Sequence, residues 1–248
     1  MKVKHVLISQ PQPENEKSPY ADIARQFNLE ITFRKLFNIE GISYKEFRKN
    51  RIYISDYTAI IFTSKNAVDH FFTLCDELRV NISDSTKYFC TSEAIALYLQ
   101  KYVQYRKRKI FFGKNNFHEL LDIIKKHKEE KYLFPCGQNH RNEIPQLLKQ
   151  SKINFYSAPI YRTVPADLSD ISIYDFQMLV LFSPFGIESL KVNFPDFNQG
   201  DIILGAFGEA AAKAAKKNGL KVHFKAPTET APSMAMAMQE YLQKISKK

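Results

Sequence analysis

The chain has 248 residues, of which 44% are hydrophobic and 13% aromatic, enough for one large or two small folded cores. No stretch reaches the roughly 20 consecutive apolar residues of a membrane span, and the first residues turn polar too early for a signal peptide, so we expect a cytoplasmic protein without membrane contact. The formal net charge of +10 favours an anionic partner: a nucleic acid, an anionic membrane, or a ligand with carboxylates or phosphates.

Short β-forming runs alternate with helical patterns along the whole chain. In chain order the predicted strands are residues 3–9, 29–34, 58–63, 86–90, 103–112, 131–135, 153–157, 177–183, 201–207 and 221–225. Between most of them apolar residues recur at helical spacing, as at Val68, Phe71, Phe72 and Cys75. This alternation predicts βαβ units and mainly parallel sheets.

The same order of strand, corner and helix occurs twice. The segment that starts at Asp56 aligns with the one that starts at Asp175, and residues 131–161 align with residues 4–37. Two similar α/β domains explain this order, with a discontinuous domain of residues 1–36 plus 164–248 and an inserted domain of residues 40–158. The interdomain crossovers are then residues 34–40 and 157–165. Two crossovers predict a hinge with a cleft, in which ligands meet the carboxyl ends of the strands.

Hydroxyl groups stand at equivalent corners of the two repeats. Thr63 and Ser64 end the third predicted strand, and Ser183 is followed by Pro184 at the end of the eighth. Serine before a helix is typical of an N-terminal cap. Because helix N-termini also bind anions, the same corners can receive a carboxylate. Both interpretations stay open.

Three further motifs argue against a nucleotide site, a metal site and nucleic-acid binding. Gly208 lies in a corner that lacks the G-x-G-x-x-G and P-loop patterns, so we expect close approach of a ligand rather than a nucleotide site. Cys136 and His140 lack a third ligand, so we expect no metal site and no nucleophile there. The basic run 105–109 lies in a predicted strand without a basic, aromatic-lined groove, which favours solvated cations over nucleic-acid binding.

The cysteines and one tyrosine complete the candidates. Cys75, Cys90 and Cys136 are odd in number and far apart, so they predict reduced thiols rather than disulfides. Tyr161 lies in the second crossover between Pro159 and Pro165, which keep this segment out of a helix. The tyrosine either packs within the linker or presents a phenol, a possible proton donor, to the cleft.

Five segments carry a family resemblance. In chain order they are IIFTSKNAV, LFPCGQNHRNEIP, PIYRT, LFSPFGIESL and GAFGEAAAKAAKKNGLKV. Over essentially its whole length the chain resembles the uroporphyrinogen-III synthase family. The resemblance implies two Rossmann- or flavodoxin-like parallel-sheet domains joined by a two-stranded β-ladder, with the active site in the cleft between them. It also implies a carbon–oxygen lyase of haem biosynthesis that cyclises hydroxymethylbilane with loss of water and inversion of the terminal pyrrole, without metal or cofactor.

The resemblance also assigns residues. Tyr161 matches the tyrosine of the family's VYxT-like segment and is expected to assist departure of the hydroxyl. The expected substrate-binding residues are Thr63, Ser64, Lys65, Gly137, Arg141, Ser183, Phe185, Gly208 and Thr228. Thr230 is the alternative to Thr228, because residues 225–237 align with the family in more than one register. Phe185 stands where relatives often carry a small polar residue. The polar loop 9–19 is expected to act as a flap.

The carboxylate-rich bilane gives the positive charge a better-matched partner than nucleic acid. We expect a monomer that makes a transient contact with the preceding pathway enzyme. The alternative function is a non-catalytic, two-domain binder of an anionic small molecule, which would share the cleft and the charge but form no product.

Overall fold

The computed structural model describes residues 3–13, 18–114, 116–140 and 142–246. The chain divides into two compact units: Met1–Asn38 with Val164–Lys248, here called the first unit, and Ile39–Thr163, the second unit. Compactness alone does not test independent folding, so the domains 1–36 with 164–248 and 40–158 stay a prediction.

Strands and helices alternate through the described residues. The strands are β1 His5–Ile8, β2 Glu30–Phe33, β3 Phe37–Gly41, β4 Ala59–Phe62, β5 Lys87–Cys90, β6 Ile110–Phe112, β7 Tyr132–Gly137, β8 Phe155–Pro165, β9 Met178–Leu181, β10 Ile203–Phe207 and β11 Phe224–Ala226. The α-helices are α1 Pro19–Phe27, α2 Tyr44–Lys49, α3 Lys65–Leu78, α4 Glu93–Tyr98, α5 Phe117–Ile124, α6 Glu143–Gln150, α7 Pro184–Asn193, α8 Gly208–Lys217 and α9 Met234–Ser246. Among the residues described, no helix is both long and apolar enough to cross a membrane.

The first unit contains a five-stranded sheet in the order β11-β10-β9-β1-β2, with parallel pairing between neighbours. Its inner strands β1, β9 and β10 are buried on both faces. In β1, Leu7 packs into one hydrophobic cluster, whereas Val6 and Ile8 pack into another. Because both faces are covered, the strands read as continuous apolar runs rather than as alternating ones.

The second unit contains a six-stranded sheet in the order β3-β8-β7-β4-β5-β6, parallel from β8 to β6. In β4, Ile60 and Phe62 face one cluster, while Ala59 and Ile61 face the other. The neighbouring strands β3 and β8 also carry the chain from one unit to the other. The predicted α/β class with two similar parallel sheets is confirmed.

The prediction of a strand over residues 103–112 is wrong for most of its length. Only residues 110–112 form a strand, and residues 107–109 form a turn in which the carbonyl of Arg106 accepts hydrogen bonds from the N–H groups of Lys109 and Ile110. Four consecutive cations cannot be buried in a sheet that is covered on both faces, so the strand starts at the first apolar residue. The basic run 105–109 is therefore not on a strand.

Two further differences concern the crossovers. Strand β3 is absent from the strands predicted from residue patterns, and β8 extends eight residues beyond the predicted end at 157. The register of β8 shifts between Cys136 and Gly137 of its neighbour β7, so that Gly137 pairs with Tyr161. Tyr161 is therefore part of a sheet and not of a free linker.

Candidate active site

The corner between β4 and α3 is a capped helix N-terminus. The Ser64 hydroxyl accepts a hydrogen bond of 3.1 Å from the N–H of Ala67, which leaves its own hydrogen available to a ligand. The first turn of α3 contains no acidic residue, so no carboxylate of that turn offsets the positive end of the helix dipole. Thr63 precedes Ser64 and is partly exposed. The cap and a carboxylate contact are thus compatible.

Lys65 is held against an aromatic ring at the same corner. Its Nζ lies 5.1 Å from the ring centroid of Tyr98, whose hydroxyl donates to both carboxylate oxygens of Asp69 at 2.9 and 2.8 Å. Burial opposes ionisation of Asp69, but hydrogen bonds from Tyr102, Tyr98 and Lys101 outweigh it and lower the pKa of this carboxyl. The Lys65 ammonium therefore lies near the ring of Tyr98, whose hydroxyl is bound to Asp69. This cation–π contact restricts the side chain of Lys65.

The equivalent corner of the first unit lies between β9 and α7. The Ser183 hydroxyl accepts a hydrogen bond of 3.1 Å from the N–H of Gly186, and the first turn of α7 also lacks an acidic residue. The ring of Phe185 packs edge-to-face on Phe37 at 5.6 Å between centroids. Phe185 can therefore offer a ligand its backbone N–H, while its side chain has an apolar partner.

If the two hydroxyls donate to carboxylates of the substrate, as we expect from the sequence, Ser64→Ala and Ser183→Ala should each raise KM roughly tenfold, the equivalent of about 1.4 kcal/mol. Each change should also lower the free energy of unfolding by about 1 kcal/mol through loss of the cap. Steady-state kinetics and thermal unfolding measure the two effects separately.

Ser43→Ala is the matched control. Ser43 caps α2 by accepting from the N–H of Glu46 at 3.3 Å, but Glu46 places a carboxylate in the first turn of that helix. The control should therefore lose stability and keep its KM. An equal rise of KM in all three variants would contradict a specific role of the two corners.

Gly208 begins α8 at the carboxyl end of β10. Its φ is 78°, in the left-handed region that favours glycine, and apart from adjacent residues and the backbone of its own helix no heavy atom lies within 4 Å of the place where a Cβ would stand. Glu209 follows in the first turn, and its carboxylate accepts a 2.7 Å hydrogen bond from Lys225. This helix start therefore has an anion of its own, unlike those of α3 and α7, although the space over Gly208 is open.

Thr228 and Thr230 lie in one turn after β11. Their hydroxyl oxygens are 3.5 Å apart, and that of Thr228 accepts a 3.0 Å hydrogen bond from the N–H of Ala231. Both residues line an open cavity of about 300 Å³ together with Lys225 and Lys244. The two alternatives of the sequence analysis therefore occupy the same place.

The Tyr161 ring lies at the carboxyl end of β7. The carbonyl of Tyr161 accepts a 2.8 Å hydrogen bond from the N–H of Gln138, and the ring lies so close to Gly137 that a Cβ there would be 2.9 Å from Cε2. The ring stacks on His70 of α3, with 5.4 Å between centroids. Since β4 and β7 are parallel neighbours, Tyr161 and the Ser64 corner share one sheet edge.

His70 was missed by sequence reasoning. Its position in α3 lies between the regularly spaced apolar residues, and the segment IIFTSKNAV that carries the family resemblance ends two residues before it. Only the stacking on a residue 91 positions later in the chain draws attention to it.

The candidates therefore fall on two sheet edges, one in each unit. In the second unit, Thr63, Ser64 and Lys65 follow β4, and Gly137 and Tyr161 meet at the end of β7. In the first unit, Ser183 and Phe185 follow β9, Gly208 follows β10, and Thr228 follows β11, which are consecutive strands of the sheet. Arg141 lies outside the described residues, as do residues 14–17 of the expected flap.

The residues around Cys136 give no support to a nucleophile. Burial raises the pKa of the Cys136 thiol to about 12, so the thiolate is scarce at neutral pH. His140 lies with Nδ1 3.1 Å from the carbonyl oxygen of Gly137 and its ring edge-to-face with Phe134. In the part of the chain that the structure describes, no group of three His, Cys, Asp or Glu residues could hold a metal ion.

Comparisons with known proteins bear on the fold and the family of the chain. The family model described as uroporphyrinogen-III synthase HemD matches residues 18–236. A crystal structure of uroporphyrinogen-III synthetase from Helicobacter pylori is 15% identical, with 98% of each chain covered and a TM-score of 0.55. A mutant uroporphyrinogen III synthase from Thermus thermophilus is 13% identical, with 97% of this chain and 99% of that chain covered and a TM-score of 0.53. The two structures show the shared fold, and the family model spans most of the sequence, so the chain belongs to the uroporphyrinogen-III synthase family.

Proposed function

We propose that the protein converts hydroxymethylbilane to uroporphyrinogen III in tetrapyrrole and haem biosynthesis, acting as a carbon–oxygen lyase. Family membership supports the reaction and its substrate. The observation that carries the proposed mechanism is the Tyr161 phenol, which lies at the carboxyl end of β7 on the same sheet edge as the Ser64 corner.

The first step is departure of the hydroxyl group from the substrate. Tyr161 gives its proton, directly or through a water molecule, to the leaving oxygen, so that the C–O bond breaks and water departs. An azafulvenium-type cation remains, and the substituted carbon of the terminal pyrrole attacks it. The resulting spiro intermediate fragments and closes again with that pyrrole inverted. The pyrrole carbon that forms the new bond then loses its proton, which returns to the oxygen of Tyr161 and restores the phenol.

The second task is to hold the flexible bilane in one folded geometry. Hydroxymethylbilane also closes spontaneously without inversion, so the catalyst must favour one arrangement more than it must supply a strong acid. We propose that Thr63, Ser64 and Lys65 in the second unit, and Ser183, Gly208 and Thr228 in the first, bind carboxylates of the substrate. Backbone N–H groups at Gly137 and Phe185 add further donors.

We further propose a monomer that works in the cytoplasm. Cys75, Cys90 and Cys136 are free and buried, as is usual in a reducing compartment. Because the substrate closes by itself, a transient contact with the enzyme that releases it would limit the loss to the non-inverted isomer.

The test is to supply hydroxymethylbilane, oxidise the products to porphyrins, and separate isomers I and III by chromatography. We expect isomer III in large excess over isomer I, at a rate proportional to enzyme concentration. Formation of isomer I alone, at the spontaneous rate, would reject the proposal. Thermal stabilisation by the bilane without any isomer III would then favour the alternative of a non-catalytic binder.

A further inference from the structure

The backbone around Tyr161 is held from both neighbouring strands. The N–H of Gln138, after β7, donates to the carbonyl of Tyr161 at 2.8 Å, and the N–H of Ile42, after β3, donates to the carbonyl of Ile160 at 2.9 Å. With the main chain fixed, the direction of the phenol depends on the side-chain torsions alone.

Two contacts restrict these torsions. One face of the ring stacks on the imidazole of His70, with 5.4 Å between centroids and 27° between planes. One edge of the ring meets the backbone of Gly137, where even a Cβ would stand only 2.9 Å from Cε2. A rotation of the ring must therefore break the stacking or collide with β7.

The imidazole of His70 is itself held in place. A Cβ at Gly41 would lie 3.1 Å from Nδ1 of His70, so the end of β3 is close to its ring. Burial lowers the pKa of His70, and the charge of Asp69 opposes this effect only in part. A neutral imidazole therefore faces the phenol at neutral pH, which suits stacking.

We propose that His70 is a positioning residue that holds the phenol of Tyr161 in the direction from which it protonates the leaving hydroxyl. This inference rests on the proposed function of Tyr161. His70 exchanges no proton with the substrate in this account; it acts through the ring that it touches. Since a displacement of about 1 Å can cost roughly a hundredfold in rate, a single stacking contact is enough to matter.

The experiment compares His70→Ala with His70→Phe. The alanine variant loses the stacked ring, so we expect kcat for isomer III to fall roughly tenfold while KM stays within about twofold. The phenylalanine variant keeps an aromatic face and should recover most of the rate. His118→Ala, the same change on the exposed face of α5, should behave as the wild type.

A double-mutant cycle separates positioning from a general loss of structure. In the Tyr161→Phe background no hydroxyl remains to be directed, so His70→Ala should lower kcat no further. An equal loss in both backgrounds would overturn the inference. If Tyr161→Phe retained wild-type turnover, the role of Tyr161 and its positioning by His70 would both be rejected. The proposed function would still hold as long as the wild type forms isomer III.

Nitration of Tyr161 by tetranitromethane, followed by peptide mass spectrometry, gives a measurement that needs no turnover. We expect His70→Ala to raise the rate of nitration at Tyr161 several-fold and His70→Phe to leave it near the wild-type value. An unchanged rate in His70→Ala would reject the positioning contact. A wild type that forms no isomer III would reject the proposed function instead, and the nitration rates would still decide whether His70 restrains the ring.

Discussion

Tyr161→Phe is expected to lower kcat for uroporphyrinogen III by about a hundredfold, the lower range for loss of a general acid. The change removes one oxygen and keeps the ring that packs against His70 and Gly137. We therefore expect the KM and the unfolding temperature to stay close to the wild-type values. Initial rates of isomer III formation, corrected for spontaneous closure, measure the effect.

Tyr156→Phe provides the matched control. Tyr156 lies on the same strand β8, but it is 45% exposed, and it pairs with Leu133 near the start of β7 instead of at its carboxyl end. Removal of its hydroxyl should leave turnover unchanged. If the two variants lost activity equally, or if neither did, Tyr161 would have no place in the mechanism.

Gly137→Ala is expected to lower kcat tenfold or more, because it changes the second contact of the Tyr161 ring and so displaces the phenol. Gly137 is not in the left-handed region, so alanine fits the backbone there, but its Cβ would lie 2.9 Å from Cε2 of Tyr161 and the ring must shift. Overpacking of this kind costs about 1–3 kcal/mol of stability. Thermal unfolding shows whether the variant is folded, and steady-state kinetics show whether the folded variant has a lower kcat.

The same substitution in the Tyr161→Phe background supplies the control for Gly137. The ring is still displaced there, but no phenol is misdirected, so kcat should fall no further than in Tyr161→Phe alone. Wild-type turnover in Gly137→Ala, with its fold intact, would show that the position of the ring does not limit the rate.

The sequence predicted the sheets well because burial on both faces leaves a clear pattern. Residues 58–63 and 177–183 each contain an unbroken run of at least four apolar residues, and the structure places β4 and β9 in these runs. The prediction failed where charge interrupts such a pattern, at residues 103–109. It also missed β3, in which Asn38 and Glu40 are exposed, because a strand at the edge of a sheet needs little apolar sequence.

The candidate site was predictable only where local rules apply. Ser64 and Ser183 follow apolar strands and precede helices, so the sequence alone marks them as caps, and both hydroxyls do cap their helices. Ser92 occupies a similar place, yet its side chain makes no capping hydrogen bond. The pairing of Tyr161 with Gly137 depends on a register shift between two strands, and the stacking on His70 depends on tertiary packing, so neither leaves a local signal.

The role of Tyr161 in closure with inversion is tested most directly under single-turnover conditions. With the enzyme in excess over hydroxymethylbilane, closure on the protein outpaces spontaneous closure, and the porphyrin isomers formed can be counted after oxidation. The account predicts isomer III as nearly the whole product for the wild type, with isomer I rising in Tyr161→Phe as the slow variant loses the competition. Isomer I as the main product of the wild-type protein would contradict it.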